Sequence, residues 1–176
     1  MQLDHGEGSN MKQWMRKRSA FFFAGASLVL GFCLMFLLEN PAYSKRQWYA
    51  GWIVWVVGIV LIFLPMFVLR SKGGVAKGEG YVQTTVLVDS SIYSVVRHPQ
   101  YLGWLLMYPA MMLFNPHWLI VGLGLLGMAC VYLFTRQEDE HLVEKFGKPY
   151  GRYMQTVPRM NLIAGIVQLV RGTQRK

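Results

Sequence analysis

Two uninterrupted apolar blocks dictate most of what this chain can become. Ser19 to Leu38 runs for twenty residues without a charge and Trp48 to Leu69 for twenty-two. At about 1.5 Å per helical residue, each is long enough to cross the roughly 30 Å of hydrocarbon in a bilayer. Both are expected to be transmembrane helices. Two later blocks, Tyr101 to Phe114 and Trp118 to Phe134, are shorter and are split by Asn115-Pro116-His117, a turn signal that a helix does not pass unbroken. They read as a helical hairpin whose first arm, entered past Pro99, starts as a half-buried turn and crosses tilted or incompletely. An ordinary soluble domain would not gather 53% apolar and 14% aromatic residues into such blocks. The expected fold class is an all-α membrane protein with about four transmembrane helices, the last two a hairpin, and a cytosolic C-terminal helical cap.

The formal charge of +9 invites a nucleic-acid reading, but the placement of the cations decides against it. If all four blocks cross, every one of the eighteen Lys and Arg except Lys45 and Arg46 falls on one side. By the positive-inside rule that side is the cytoplasm, and it holds both termini and the loop from 70 to 100. The expected partners are membrane lipids and a lipid-like substrate, without nucleic acid or metal. Cys33 and Cys130 sit inside the predicted spans, which argues against a disulfide framework, a zinc site or a thiol nucleophile. The cations from Lys12 to Arg18 resemble a signal n-region. The apolar block after them is long for a signal and is followed by Glu39-Asn40-Pro41 rather than small residues, so an anchor is expected.

Three regions follow: a polar and basic segment over 1–18, a two-helix anchor over 19–70, and a core with loop, hairpin and cap over 71–176. Residues 1 to 10 are expected to be disordered, and Lys12 to Arg18, with Trp14 and Met15 interleaved, to form a short helix at the headgroups. Trp48, Tyr49, Trp52 and Trp55 suit an interface, and Pro65 is expected to bend the second span. Thr84 to Val88 reads as an extended piece packed over the helices. Glu138 to Tyr153 reads as an amphipathic cytosolic helix, broken by Gly147 and Pro149, and residues 160 to 170 as a last apolar stretch, too short to span, that is expected either to lie on the membrane or to cap the site.

A hairpin makes neighbours of the two ends that it brings back to one surface. Arg97 and His98 enter the third block there, and Arg136, Glu138 and Asp139 leave the fourth. Charged groups at that depth are costly and are seldom kept without a use. A bland alternative, interfacial charges that snorkel and pair to close helix ends, explains the same residues. The Glu138…His141 spacing suits a di-iron bundle, but no second such pair is present, and four scattered histidines make no zinc motif.

The run Leu87-Val88-Asp89-Ser90-Ser91-Ile92-Tyr93-Ser94-Val95-Val96-Arg97-His98-Pro99-Gln100-Tyr101-Leu102-Gly103 resembles the first signature of the isoprenylcysteine carboxyl methyltransferase and phospholipid methyltransferase superfamily. Glu138-Asp139-Glu140-His141-Leu142, with Phe146-Gly147, Tyr150, Tyr153 and Val157-Pro158-Arg159, is similar to the second. Together they cover about residues 77 to 160. Ser91 stands where that family often has Gly, Asp139 replaces a second Glu, and Phe134 occupies a position that carries Arg in isoprenylcysteine enzymes. The resemblance implies an integral membrane methyltransferase using S-adenosyl-L-methionine. It implies cofactor contacts from Leu87, Val88, Tyr93, His98, Gln100, Tyr101 and Glu138. Arg97, Arg136 and Asp139 are the candidate catalytic residues, either arginine being placed to orient an anionic acceptor.

The expected function is methyl transfer to a lipophilic or amphiphilic acceptor, such as an isoprenylcysteine-type carboxylate, arriving from the bilayer. Alternatives are a phospholipid or small-amine N-methyltransferase, a sterol-reductase-like enzyme using NADPH, and a non-catalytic membrane scaffold.

Overall fold

The computed structural model describes residues 6–39 and 44–173, with side chains from Phe21. All regular structure among them is helical: α1 (Gly6–Leu37), α2 (Lys45–Lys72), α3 (Pro99–Phe114), α4 (Trp118–Phe146), α5 (Lys148–Thr156) and α6 (Leu162–Thr173), with a 3-10 turn at Ser91–Ser94. Two of these, α2 and α4, are long and apolar enough to cross a membrane. With sixteen residues, α3 is shorter than a full span requires.

The boundaries of three helices differ from expectation. Helix α1 runs without a break from Gly6, so no separate surface helix precedes the first apolar block, and of the stretch expected to be disordered Gly6–Asn10 is helical. Residues 1–5, together with Asn40 and Pro41, lie outside the described residues. Helix α2 runs from Lys45 to Lys72, beyond both ends of the Trp48 to Leu69 block, with Pro65 inside it. Helix α4 does not stop at Phe134 but carries the last apolar block straight into the region expected to be a separate amphipathic helix. It ends at Gly147, whose φ of 62° is a left-handed conformation that costs glycine little. Pro149 then opens α5 in its first turn, where a missing N–H leaves no bond unmade.

The chain divides into two compact units. The first comprises residues 1–54 and 107–138. Within it the Tyr108 hydroxyl donates to the Ala24 carbonyl at 2.8 Å, satisfying a phenol that is 1% exposed. Buried Asn115, from the predicted turn, donates to the carbonyls of Met35 and Leu38 at 3.5 and 3.0 Å. These belong to the end of α1, where carbonyls have no partner along the helix. Trp52 packs edge-on against Phe114 with ring centroids 5.5 Å apart. Cys33 and Cys130 are free.

The second unit comprises residues 55–106 and 139–176. One core gathers Leu61 of α2, Val96 and Leu102, with Ile92, Val95, Met160 and Leu162 against it. A second gathers Tyr150, Tyr153 and Val157, spaced to fall on one face of α5 and its exit, with Leu87, Leu142, Phe146 and Met154 around them. Gly58, Leu61, Ile62 and Pro65 form the buried face of α2 in this unit, while Val57, Val60, Phe63, Leu64 and Phe67 are exposed. A helix that is apolar on its exposed side as well as its packed side suits a hydrocarbon surround.

The loop from Gly73 to Ser90 forms no strand, but Thr84 and Val88 are buried and Thr85 donates its N–H to the Gly73 carbonyl at 2.8 Å. At its end Ser91 adopts a φ of 60°, which gives a physical reason for glycine at this position. Its hydroxyl accepts from Lys72 Nζ at 3.0 Å. Ser91→Gly removes about 1–2 kcal/mol of left-handed strain and adds about 0.5–1 kcal/mol of glycine entropy. A net gain of about 0.5 kcal/mol is expected, read as a raised thermal midpoint. A fall in the midpoint would show that the Lys72 contact outweighs the strain.

Candidate functional site

The site grows from a helix face that ends on a carboxylate. Along α4 the buried residues Ile120, Gly124, Gly127, Val131 and Thr135 recur every three or four positions, and the next in that row is Asp139. Asp139 lies five residues past the apolar block and is 2% exposed. An isolated carboxylate so buried would be driven to protonate. Here it is met from three directions in the chain.

The first is the segment leading into α3. Pro99 starts that helix, and the His98 carbonyl accepts its first hydrogen bond, from Leu102 N–H at 3.0 Å. This places Arg97 and His98 just outside the helix. His98 Nε2 lies 2.8 Å from Asp139 Oδ1 and Arg97 Nη1 donates to the same oxygen at 3.2 Å. The second is α5, from which the Tyr150 hydroxyl donates to Oδ1 at 2.6 Å. The third is the exit strap after α5, where Arg159 Nε donates to Oδ2 at 2.6 Å. Backbone bonds hold the strap against the α3 entrance: Arg97 N–H donates to the Pro158 carbonyl at 3.0 Å and His98 N–H to that of Arg159 at 3.1 Å. The Tyr153 hydroxyl adds a bond of 2.6 Å to the Tyr93 carbonyl.

Burial alone would raise the Asp139 carboxyl. The hydrogen bonds from His98 and Tyr150, the positive field at His98 and the bond from Arg159 overturn that and hold it well below the usual carboxylate range. Tyr150 is pushed up, first by burial and then by the adjoining carboxylate. Asp139 is therefore an anion and His98 Nε2 must carry the proton that it shares with Oδ1.

The sign of the pH dependence follows from the lowered value. The stability that the ionised carboxyl contributes is complete above its unfolded value of about 4 and is lost as pH falls through the lower folded value. Thermal midpoints measured at falling pH are expected to drop below about pH 4, and Asp139→Asn is expected to flatten that part of the profile. An unchanged slope in the variant would place the acid sensitivity elsewhere.

Of the residues singled out from sequence, Arg97, His98 and Asp139 come together here. Gln100 Nε2 donates to the Tyr81 hydroxyl at 2.9 Å, and the half-buried Tyr101 ring lies 5.7 Å from that of His98. Leu87 packs on the tyrosine core, while Val88 and Tyr93 are buried. Arg136 is exposed and Glu138 half-buried, both on the part of α4 that belongs to the first unit. Tyr150 and Arg159 were missed as site residues. Both stand in the second signature, and an Arg in a strap that returns towards a buried acid was the available signal.

One group in the cluster is incomplete. The Arg97 side chain is 8% exposed, yet its Nε is buried and has no hydrogen-bond partner among the described residues. No group of three His, Cys, Asp or Glu side chains gathers to hold a metal among those residues.

A family model described as phospholipid methyltransferase matches residues 46–149, which contain the α3 entrance, all of α4 and Tyr150's neighbour Pro149. The chain belongs to that family. Among individual proteins, it is 30% identical over 163 residues to protein-S-isoprenylcysteine O-methyltransferase of Dictyostelium discoideum, covering 87% of this chain and 65% of that one. It is 26% identical over 173 residues to methanethiol S-methyltransferase of Pseudomonas deceptionensis, covering 84% of this chain and 63% of that one. The Homo sapiens protein-S-isoprenylcysteine O-methyltransferase is 31% identical over 134 residues, 71% of this chain and 46% of its own length. The chain thus spans less than two thirds of the length of these curated relatives. No solved structure matches. The matched residues include the whole first signature and the second as far as Pro149; in the structure the second acidic position of that signature, Asp139, and its terminal Arg159 are hydrogen-bonded to each other.

Proposed function

We propose that this protein is an integral membrane methyltransferase that uses S-adenosyl-L-methionine and acts on a lipophilic or amphiphilic acceptor. The observation that carries the reading is the buried Arg97 Nε, which has no hydrogen-bond partner among the described residues, in a chain of this family. A buried N–H without an acceptor costs about 1–3 kcal/mol, so a ligand that supplies an acceptor there gains that much. The cofactor's α-carboxylate has the right chemistry, and the donor set fits it.

When bound, S-adenosyl-L-methionine supplies an electrophilic methyl on a sulfonium. What the chain itself does is hold and orient. Asp139 has three donors on one oxygen and one on the other, so most of its acceptor capacity is taken up by its own protein. We give it a positioning role, fixing Arg97 and His98, and leave Arg97 as the group that meets a carboxylate. Gln100 and Tyr101, half-exposed on the first turn of α3, are proposed to meet the base and ribose, with Leu87, Val88 and Tyr93 forming the wall behind. Glu138 is proposed as the acid for the cofactor ammonium, and Arg136 as an orienting charge for an anionic acceptor. Methyl transfer asks for in-line positioning in a dry site more than for proton transfer.

The relatives' names span an oxygen and a thiol sulfur as acceptors. An apolar acceptor presented by the bilayer suits α2 and α4 as spans, and the four-span arrangement with a cytosolic cap is part of this proposal. Calorimetric titration of the detergent-purified protein with S-adenosylhomocysteine is expected to show one site per chain. Folded protein that takes up neither this product nor its methylated form would end the reading. Transfer of labelled methyl to a prenylated carboxylate, and separately to an alkyl thiol, then identifies the acceptor atom.

A further inference from the structure

Helix α6 lies beyond the residues that match the family model, and methyl transfer as proposed makes no use of it. Its side chains sort onto three faces. Leu162 packs on the Leu61, Val96 and Leu102 core. Gly165, buried on the same face, approaches the Val95 carbonyl so closely that any Cβ would overlap it. This face fixes the helix to its unit. A second stripe, Ile163, Ile166, Val167 and Val170, has the i, i+3, i+4, i+7 spacing of one helix side and is 41% to 77% exposed. On the third face Gln168 and Arg171 are exposed, and Asn161 caps the start by accepting from the Ala164 N–H at 2.9 Å.

Length and charge say what covers the apolar stripe. Twelve residues rise about 18 Å, too short to span, while an apolar side beside a polar one with a cationic end is the pattern of a helix lying in an interface. From Lys145 to Lys176 the sequence holds Lys145, Lys148, Arg152, Arg159, Arg171, Arg175 and Lys176 and no Asp or Glu. Of these, Lys145, Lys148, Arg152 and Arg171 are exposed among the described residues, and exposed cations complement anionic headgroups. Leu162 shares its core with Leu61 of α2, so the stripe belongs to an element anchored beside a helix that is itself apolar and exposed.

We propose that α6 docks on the surface of an anionic membrane, with Ile163, Ile166, Val167 and Val170 immersed and Arg171 among the headgroups. The inference rests on α2 being a span, and the test separates the two. In full-length protein carrying Cys33→Ala and Cys130→Ala, single cysteines at positions 163, 166, 167, 170 and 168 are spin-labelled. The protein is reconstituted into phosphatidylcholine vesicles with or without phosphatidylglycerol. The four stripe positions are expected to be open to oxygen and closed to a water-soluble nickel relaxant, and position 168 the reverse. Phosphatidylglycerol is expected to deepen the label at 166, and Arg171→Gln to undo that shift. A control label at position 60, midway along α2, reports the span.

Nickel access along all of α6 with a lipid-exposed label at 60 overturns the docking alone. Nickel access at 60 overturns the span on which it rests. Labels closed to both relaxants, and more so at high protein-to-lipid ratio, would put a second copy on the stripe instead of lipid. Equal depth in the two membranes would remove the anionic headgroup from the proposal.

Discussion

Replacing Asp139 by alanine is expected to cost about 3–5 kcal/mol of folding stability. The carboxylate is the acceptor for Arg97, His98, Tyr150 and Arg159 at once. Its removal leaves two guanidiniums, an imidazole and a phenol facing one another around the site of a buried side chain. Unpaired buried charge, rather than the loss of any single bond, sets the size of the effect. Asp139→Asn is expected to cost less, because an amide oxygen still accepts while its NH2 meets donors that have nothing to offer it. Thermal or denaturant melts followed by tryptophan fluorescence in detergent measure both. A cost under about 1 kcal/mol for the alanine variant would show that water replaces the carboxylate and that the cluster is open.

Arg97→Lys is expected to weaken S-adenosylhomocysteine binding by roughly ten- to a hundred-fold, the worth of about 1.5–3 kcal/mol for a hydrogen bond to a charged group. The change keeps a positive charge near Asp139 but removes the planar fork and with it Nε, the donor that has no partner among the described residues. The comparison that matters is between affinity and melting. A ligand contact predicts a large loss of affinity and a small change in thermal midpoint, since lysine can still pair with the carboxylate. Equal losses in both would make Arg97 a structural cation, and unchanged affinity would remove it from the cofactor site.

Much of the architecture could be read from the chain alone, and the physical reason is that hydrophobic length and breakers are local. The apolar blocks became α2, α3 and α4, and Asn115 to His117 became the turn between the last two. The meeting of Arg97, His98 and Asp139 was also legible, because a hairpin fixes which ends are neighbours. What could not be read was the allocation of charge. Asp139 is paired 42, 41, 20 and 11 residues away, and nothing local tells one acid of Glu138-Asp139-Glu140 from another until the helix phase is known. The phase itself was hidden because α4 passes the end of its apolar block without a break. A change from apolar to charged residues reads as a boundary in sequence, whereas a backbone needs only that no residue forbid the next turn. Ser91 shows the reverse case, in which the glycine that the signature resemblance leads one to expect gains a physical reason only with the φ of 60°.

Asn115 has a consequence in time. The carbonyls of Met35 and Leu38 that it serves are made first, and their donor follows 77 residues behind Leu38. At about 5–20 residues per second the wait is roughly 4–15 s. For that interval the end of α1 has to be met by water or by other passing donors. The helix that is started first is therefore completed only when the far end of α3 has been synthesised, and a stall in translation between the two would leave a nascent chain with an open helix end at the membrane.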